Sequence, residues 1–137
     1  SSGNTLDLFT QMKIAVYAQK THYKDRSLFK AEEIVKLATI GGAKALNMDD
    51  RIGSLEVGKQ ADIVLIVTDS VNMFPIYDAY SAIVYSANAS NVDSVWINGV
   101  RVLNHKQSIF NQQEIKIALQ QEMQQFQKRA VERSKEL

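Results

Sequence analysis

The N-terminal stretch of the chain repeats apolar residues at helical spacing, on more than one side of a helix. One face carries Leu8, Phe9, Met12, Ala15 and Val16, and the other side carries Ile14, Tyr17 and Ala18. A helix that is apolar on several faces normally lies between other elements. We therefore predict a helix from about Thr5 to Gln19 that is covered on both sides. Asn4 or Thr5 is its expected N-cap, with Asp7 in the first turn.

A second helical pattern runs from about Ala31 to Thr39, where Ile34, Leu37 and Ala38 share one face. We expect Gly41-Gly42 to interrupt it and a shorter helix to resume from Ala43 to Leu46. Small residues in this region permit close packing of the backbone.

The last helical pattern begins after Asn111, a predicted N-cap with Glu114 three residues later, as in a capping box. Its apolar positions form one stripe on an otherwise polar helix: Ile115, Leu119, Met123, Phe126 and Ala130. We expect that stripe to pack and the Gln- and Lys-rich remainder to face water.

The middle of the chain predicts strands. Ala61 to Val67 is a continuous apolar run that indicates a buried strand, and Ala79 to Ser86 is interpreted as another strand. Val92 to Ile97 and Val100 to Leu103 flank Asn98-Gly99, a pair typical of a hairpin turn because both of its residues need positive φ. Helices, then a few strands, then one helix predict an α+β fold.

Composition narrows the function classes. The 137 residues are 45% apolar and 23% charged with a net charge of +1, so no electrostatic argument favours nucleic acid or an anionic membrane. No apolar run reaches the length of a membrane span. The chain has no cysteine, which excludes disulfides and cysteine-ligated zinc and is compatible with the cytoplasmic location that we expect.

Candidate metal ligands are few. His22 and His105 are the only histidines and lie in polar contexts, so we expect both to be exposed to solvent. Asp49-Asp50 lacks the spacing of a calcium loop and is expected to form a turn. Asp62 is expected to anchor the glycine turn that precedes its strand.

The glycines do not form a phosphate-binding loop. Gly53, Gly58 and Gly99 fit neither a P-loop nor a dinucleotide-binding spacing, and turn geometry explains them.

Several segments, in this order and spacing, resemble the methylthioadenosine/S-adenosylhomocysteine deaminase family of the amidohydrolase superfamily. They are Ser2 to Lys13, Ala38 to Leu46, Ile52 to Asp62, Pro75 to Asp78, Val84 to Ala87 and Val95 to Val102. Gly3 and Gln11 depart from the family's usual residues. This departure leaves the related chlorohydrolases and guanine deaminases open as parents.

The resemblance implies a part of a larger fold. Residues 1–48 would supply the last helices of a β/α (TIM-like) barrel and residues 49–108 the C-terminal strands of a small β-sandwich domain. Residues 109–137 would form a terminal amphipathic helix. The expected partner is therefore the remainder of the barrel.

The resemblance also implies the chemistry of the parent enzyme, in which a divalent metal, commonly zinc, activates water that displaces ammonia from a purine nucleoside. The family's metal ligands are four histidines and an aspartate, all of which would precede Ser1. We therefore expect no catalytic residue and no metal ligand in this chain. Ser2 and Asn4 are the candidate substrate-proximal residues, with capping of the first helix as their alternative role.

The sequence thus predicts the inactive C-terminal portion of a zinc-dependent amidohydrolase that deaminates adenosine-type substrates. A non-enzymatic module that self-associates is the alternative from another class, with Thr5 to Ala18 as its first candidate interface. A homo-oligomer of the parent also stays open.

Overall fold

The computed structural model describes residues 6–135, and side chains as far as residue 133. The chain divides into two compact units between Lys106 and Gln107. The first unit contains α1 (Leu8–Tyr23), α2 (Ala31–Lys36), α3 (Gly42–Ala45), β1 (Ile63–Ile66), α4 (Ala79–Ser81), β2 (Val92–Ile97) and β3 (Val100–Asn104). The second contains β4 (Gln107–Ser108) and α5 (Gln112–Lys135).

Helix α1 begins later than predicted and has a different cap. Asp7 is the N-cap, and its carboxylate accepts hydrogen bonds from the Phe9 amide at 3.0 Å and the Thr10 hydroxyl at 2.6 Å. The predicted cap at Asn4 or Thr5 is therefore wrong. A carboxylate at this position satisfies a free amide of the first turn and also favours the helix dipole. The helix ends at Tyr23, and its C-cap, Lys24, has a left-handed backbone conformation with φ of 52°.

Gly41-Gly42 does not interrupt the second helix. Residues Leu37–Gly41 form a π-helical turn that joins α2 to α3, and both glycines keep right-handed helical angles. A π turn accommodates one extra residue without breaking the helix. The predicted break is wrong because glycine lowers helix propensity without forbidding helical angles.

The predicted strand from Ala79 to Ser86 is wrong. This segment is helical, with α4 followed by a π-helical turn at Ala82–Ser86. Asp78 caps it, because its carboxylate accepts the Ser81 amide at 2.8 Å. The cap and the packing of Ala82 and Val84 outweigh the strand preference of the β-branched residues.

Strands β1, β2 and β3 pair antiparallel in that order. The predicted hairpin is confirmed: β2 and β3 flank Asn98 and Gly99, whose φ values are 50° and 77°. On the other side of β2, Ile63 lies opposite Trp96.

Two clusters of buried residues form the core of the first unit. The first joins α1, α2 and the turn after α4 through Met12, Val16, Ala31, Ile34 and Val84. The second consists of Met73, Ala82 and Ala87. The segment that follows Asp78 contributes to both clusters, so its helical geometry links them.

The predicted burial of β1 is not observed. Ile63, Val64 and Leu65 are exposed by 37%, 54% and 48%, respectively. These residues lie on both faces of the strand, because successive side chains alternate. Burying them would require further layers of protein on both faces of the sheet.

In the second unit, α5 has the predicted N-cap. Asn111 accepts hydrogen bonds from the amides of Gln113 at 3.1 Å and Glu114 at 3.3 Å. The Asn111 amide also donates to the Glu114 carboxylate at 2.8 Å. Within residues 6–135, no helix has both the length and the apolar content needed to cross a membrane.

Candidate functional site

The described part of the chain contains no group of three or more histidine, cysteine, aspartate or glutamate side chains able to hold a metal ion. His22 and His105 are both exposed, as predicted. His22 contacts the ring of Tyr23 edge-on, and His105 pairs with Asp93. The residues present in this part do not fit the zinc site of an amidohydrolase. The candidate residues Ser2 and Asn4 lie outside the described residues.

Side chains of the types used in catalysis surround Ser94, which is fully buried in β2. The Ser94 hydroxyl donates to the Asp93 carboxylate at 2.8 Å and accepts from the Arg101 guanidinium at 3.0 Å. It also accepts the His105 amide at 3.3 Å. The His105 ring lies 3.1 Å from the Asp93 carboxylate, with which it pairs through Nδ1.

This arrangement is not a catalytic triad. A triad requires a base that takes the proton of the nucleophile, whereas Ser94 donates to Asp93 and receives only a backbone amide from His105. The network instead joins β2 to the end of β3. The hydrogen bond from Ser94 is the main cause that lowers the pKa of Asp93, and His105 adds to it. This network was not predicted from the sequence, although a serine in the middle of an apolar strand is a signal of a buried hydrogen bond.

A second network of hydrogen bonds holds the glycine-rich turns after α3. Lys59 is largely buried, and its ammonium contacts the Asp49 carbonyl and the Ser54 hydroxyl, each at 2.6 Å. The Glu56 carboxylate lies 3.4 Å from the same ammonium. All donors of this lysine therefore serve the turn, and the segment stabilises the fold.

Asp62 anchors a different turn from the one predicted. Its carboxylate accepts the amide of Asn98 at 2.7 Å, and the Ala61 carbonyl accepts the amide of Gly99 at 3.0 Å. Asp62 therefore holds the β2–β3 hairpin turn. The expectation that it anchors the preceding glycine turn is wrong, because strand pairing brings a distant turn next to it.

A groove of about 430 Å³ lies among α1, α2 and α4. Its polar groups include Lys20, Lys30, Glu32 and Asp78. Lys20 donates to the Tyr85 hydroxyl at 3.1 Å, and Asp78 caps α4. The Glu32 carboxylate pairs with Lys36 at 2.7 Å. Both signs of charge are present and three of these four groups already have protein partners, so the groove does not select a ligand class.

The outer face of α1 is apolar and exposed. Leu8 and Ile14 are exposed by 53% and 55%, whereas Met12 and Val16 on the inner face are buried. Together with β1, this gives the first unit two elements whose apolar side chains are left without cover. Within residues 6–135, the networks around Ser94 and Lys59 thus hold strands and turns together, and the apolar side chains on the outer faces of α1 and β1 are exposed.

The chain is similar to known proteins over most of its length. The profile of the amidohydrolase family matches residues 1–102. The chain is 40% identical over 115 residues to a protein of Syntrophus aciditrophicus named 5-methylthioadenosine/S-adenosylhomocysteine deaminase 1, a match that covers 83% of this chain and 26% of that protein.

Solved structures of two amidohydrolase relatives also match this chain. An adenosine deaminase from Xanthomonas campestris with bound zinc matches with a TM-score of 0.79 and 31% identity over 86% of this chain and 27% of that one. The zinc-complexed atrazine chlorohydrolase of Arthrobacter aurescens matches with a TM-score of 0.70 and 22% identity over 80% of this chain and 24% of that one, which shows a shared fold.

The chain spans about a quarter of the length of these relatives. The match to the family profile nevertheless covers most of this chain, residues 1–102. By that match the chain belongs to the amidohydrolase family.

Proposed function

We propose that this chain is the C-terminal part of a hydrolytic deaminase that acts on adenosine-type nucleosides, with methylthioadenosine or S-adenosylhomocysteine as substrate. The observation that carries the proposal is the 40% identity to a relative with that name over 83% of this chain. The similarity to the adenosine deaminase of Xanthomonas campestris supports the same substrate class.

The packing supports the view that the chain works inside a larger protein. Ile14 on α1 and Val64 on β1 are each more than half exposed, and both belong to elements with a second apolar face. Exposed apolar area of this kind is stabilised when other protein covers it, by about 25 cal/mol for each Å² removed from water. We infer that the remainder of the barrel and sandwich covers these faces.

In this proposal the chain closes and braces the barrel. Residues 1–48 are its last helices, residues 49–108 belong to the sandwich and residues 109–137 to the terminal helix. A divalent metal, zinc by analogy with the solved relatives, would be held by residues outside this chain. Ser2 and Asn4 are proposed to lie near the substrate. The cytoplasmic location stays a prediction.

The other candidate parents have weaker support. The chlorohydrolase and guanine deaminase structures are only 22% and 23% identical to this chain, so they speak for the fold and not for the reaction. No described residue favours either chemistry. The non-enzymatic module has no specific observation in its favour, because exposed apolar faces are equally expected of a part of an enzyme.

The test is an assay of the full-length protein that measures ammonia release from methylthioadenosine, S-adenosylhomocysteine, adenosine and guanine, and chloride release from atrazine. We expect turnover of the adenosine-type nucleosides and none by the 137-residue chain alone. Turnover of guanine or atrazine in their place would contradict the proposed substrate class. Metal-dependent turnover by the isolated chain would contradict the assignment of catalysis to the remainder of the protein.

A further inference from the structure

Asn98 is the one asparagine of the sequence that a glycine follows. It is exposed in the turn of the β2–β3 hairpin, and a β-carbon added at Gly99 would meet nothing within 4 Å. Because glycine has no β-carbon, its amide nitrogen is open to approach by the side chain of the preceding residue. The Gly99 nitrogen can therefore reach the carboxamide carbon of Asn98 whenever the turn is free to rearrange.

The folded chain restrains this turn through the residues that precede β1. The Gly99 amide donates to the Ala61 carbonyl at 3.0 Å, and the Asn98 amide donates to the Asp62 carboxylate at 2.7 Å. Asn98 and Gly99 are both left-handed, with φ of 50° and 77°, as a tight hairpin turn requires. A nitrogen that attacks a carbonyl carbon must first lose its proton, and the Gly99 proton is engaged by Ala61. These two hydrogen bonds therefore oppose any reaction of the turn.

We propose that Asn98 is a site of spontaneous deamidation, held in check by the contacts of Ala61 and Asp62 with the hairpin turn. The reaction begins when the turn opens locally and hydroxide takes the Gly99 amide proton. The nitrogen attacks the side-chain carbonyl carbon of Asn98, the bond from that carbon to Nδ2 breaks, and ammonia leaves with a proton from water. Water then opens the succinimide ring, at the side-chain carbonyl to give aspartate or at the main-chain carbonyl to give isoaspartate.

Both products disturb the contact with Asp62. Aspartate at position 98 adds a negative charge to a residue whose amide is bonded to the Asp62 carboxylate, and like charges repel. Isoaspartate lengthens the main chain by one carbon, about 1.5 Å, so the amides of residues 98 and 99 no longer match the spacing of their two acceptors. Because β1 begins directly after Asp62, conversion loosens the pairing of β1 with β2.

Asn47 is a matched control within the same chain. It is exposed, its φ is 53°, and the amide of the next residue, Met48, donates to the Ala43 carbonyl at 2.9 Å. Exposure, backbone angle and hydrogen bonding thus resemble those of Asn98. The residue that follows differs, because Met48 has a side chain that hinders the approach of its nitrogen.

The first experiment incubates the full-length protein at mildly alkaline pH, folded and in concentrated urea, and maps its peptides by mass spectrometry. Isoaspartate is identified by a methyltransferase specific for it. We expect Asn98 to convert to aspartate and isoaspartate, faster in urea than in the folded protein, while Asn47 stays an amide. No conversion of Asn98 in the folded protein, or conversion of Asn47 at the same rate, overturns the proposal. Equal rates with and without urea overturn the restraint by the fold.

The second experiment removes the restraint at Asp62. Asp62→Ala should speed the conversion of Asn98 at least about threefold, the effect of losing a hydrogen bond that keeps the turn closed. Asp62→Asn retains a carbonyl acceptor and should stay near the natural rate, and the exposed Asp69→Ala should not change it. A folded Asp62→Ala protein that converts at the natural rate overturns the proposal. If this variant does not fold, the comparison with urea decides.

The third measurement tests the consequence for the sheet. Ion exchange separates the converted protein by its added negative charge, and hydrogen exchange then compares residues 63–66 in the two forms. We expect the amides of β1 to exchange faster after conversion. Unchanged exchange would show that the contact between the turn and residues 61–62 does not support β1.

Discussion

Gly53 lies in close contact with the helical segment that contains Ile40 and Ala43. A β-carbon added there would lie 2.7 Å from the Ala43 β-carbon and 2.9 Å from the Ile40 α-carbon. Gly58 has a similar φ, 96° against 91° for Gly53, but open space around it. The pair therefore separates the effect of steric contact from that of backbone angle.

We predict that Gly53→Ala destabilises the full-length protein more than Gly58→Ala does. Gly58→Ala, the control, should lower the free energy of unfolding by about 1 kcal/mol because of its positive φ. Gly53→Ala should lower it by a further ~1–3 kcal/mol because of overpacking. The shift of the urea unfolding midpoint measures both. Equal costs for the two variants would mean that the close approach to α3 does not matter.

Asp93 gives a prediction on pH. The hydrogen bond from Ser94, with a smaller contribution from His105, lowers the pKa of Asp93 in the folded protein. A lowered folded pKa means that this carboxylate stabilises the fold above its unfolded pKa of about 3.9, and that the stabilisation is lost as pH falls through the folded value. Asp93→Asn should therefore flatten the loss of stability below about pH 4.

The measurement is the free energy of unfolding as a function of pH, with the exposed Asp69→Asn as the matched control. The control should retain the slope of the natural protein. If Asp93→Asn retains it too, the network around Ser94 does not act through the Asp93 charge.

At the scale of elements, the segment from Asp78 to Ser86 depends on its cap. Asp78 accepts the Ser81 amide at 2.8 Å, so Asp78→Ala should destabilise the protein by about 1 kcal/mol, and Asp78→Asn by less because asparagine is also a good cap. Thermal unfolding of both variants checks this. Equal loss for alanine and asparagine would show that the negative charge, and not the cap, is what matters.

Elements set by local signals could be predicted from the sequence, and those set by distant contacts could not. Asn98-Gly99 specified the hairpin because both residues reach positive φ at little cost. The apolar run containing Ile83 and Val84 looked like a strand, and only Asp78 signalled a helix start. The role of Asp62 was missed because its partner, Asn98, lies 36 residues away.

In the whole molecule that we propose, this chain is surrounded by a larger remainder of the protein. The burial predicted for β1 is not observed. Under the proposal, the layers that would cover both faces of β1 come from other segments of the protein. The proposal also explains why the sequence offers so little of a site. The catalytic groups are expected outside residues 1–137, and the two site residues that were predicted, Ser2 and Asn4, lie outside the described residues.

We predict that Ile14→Asp disrupts the full-length protein. Ile14 lies on the outer face of α1, where the remainder of the barrel is proposed to cover it, and an unpaired buried charge costs at least about 3 kcal/mol. Val57→Asp, at a fully exposed turn position, should change stability by less than about 0.5 kcal/mol. Thermal unfolding and residual deaminase activity measure the effect, and an unperturbed Ile14→Asp variant would contradict the proposed cover.

Whether this chain belongs to an adenosine-type deaminase is decided by the rate at which the full-length protein releases ammonia from methylthioadenosine. We predict one ammonia for each nucleoside consumed, and a kcat/KM for methylthioadenosine or S-adenosylhomocysteine that exceeds the values for guanine and atrazine. Full-length protein that is folded and loaded with zinc, yet deaminates no adenosine-type nucleoside, would contradict it.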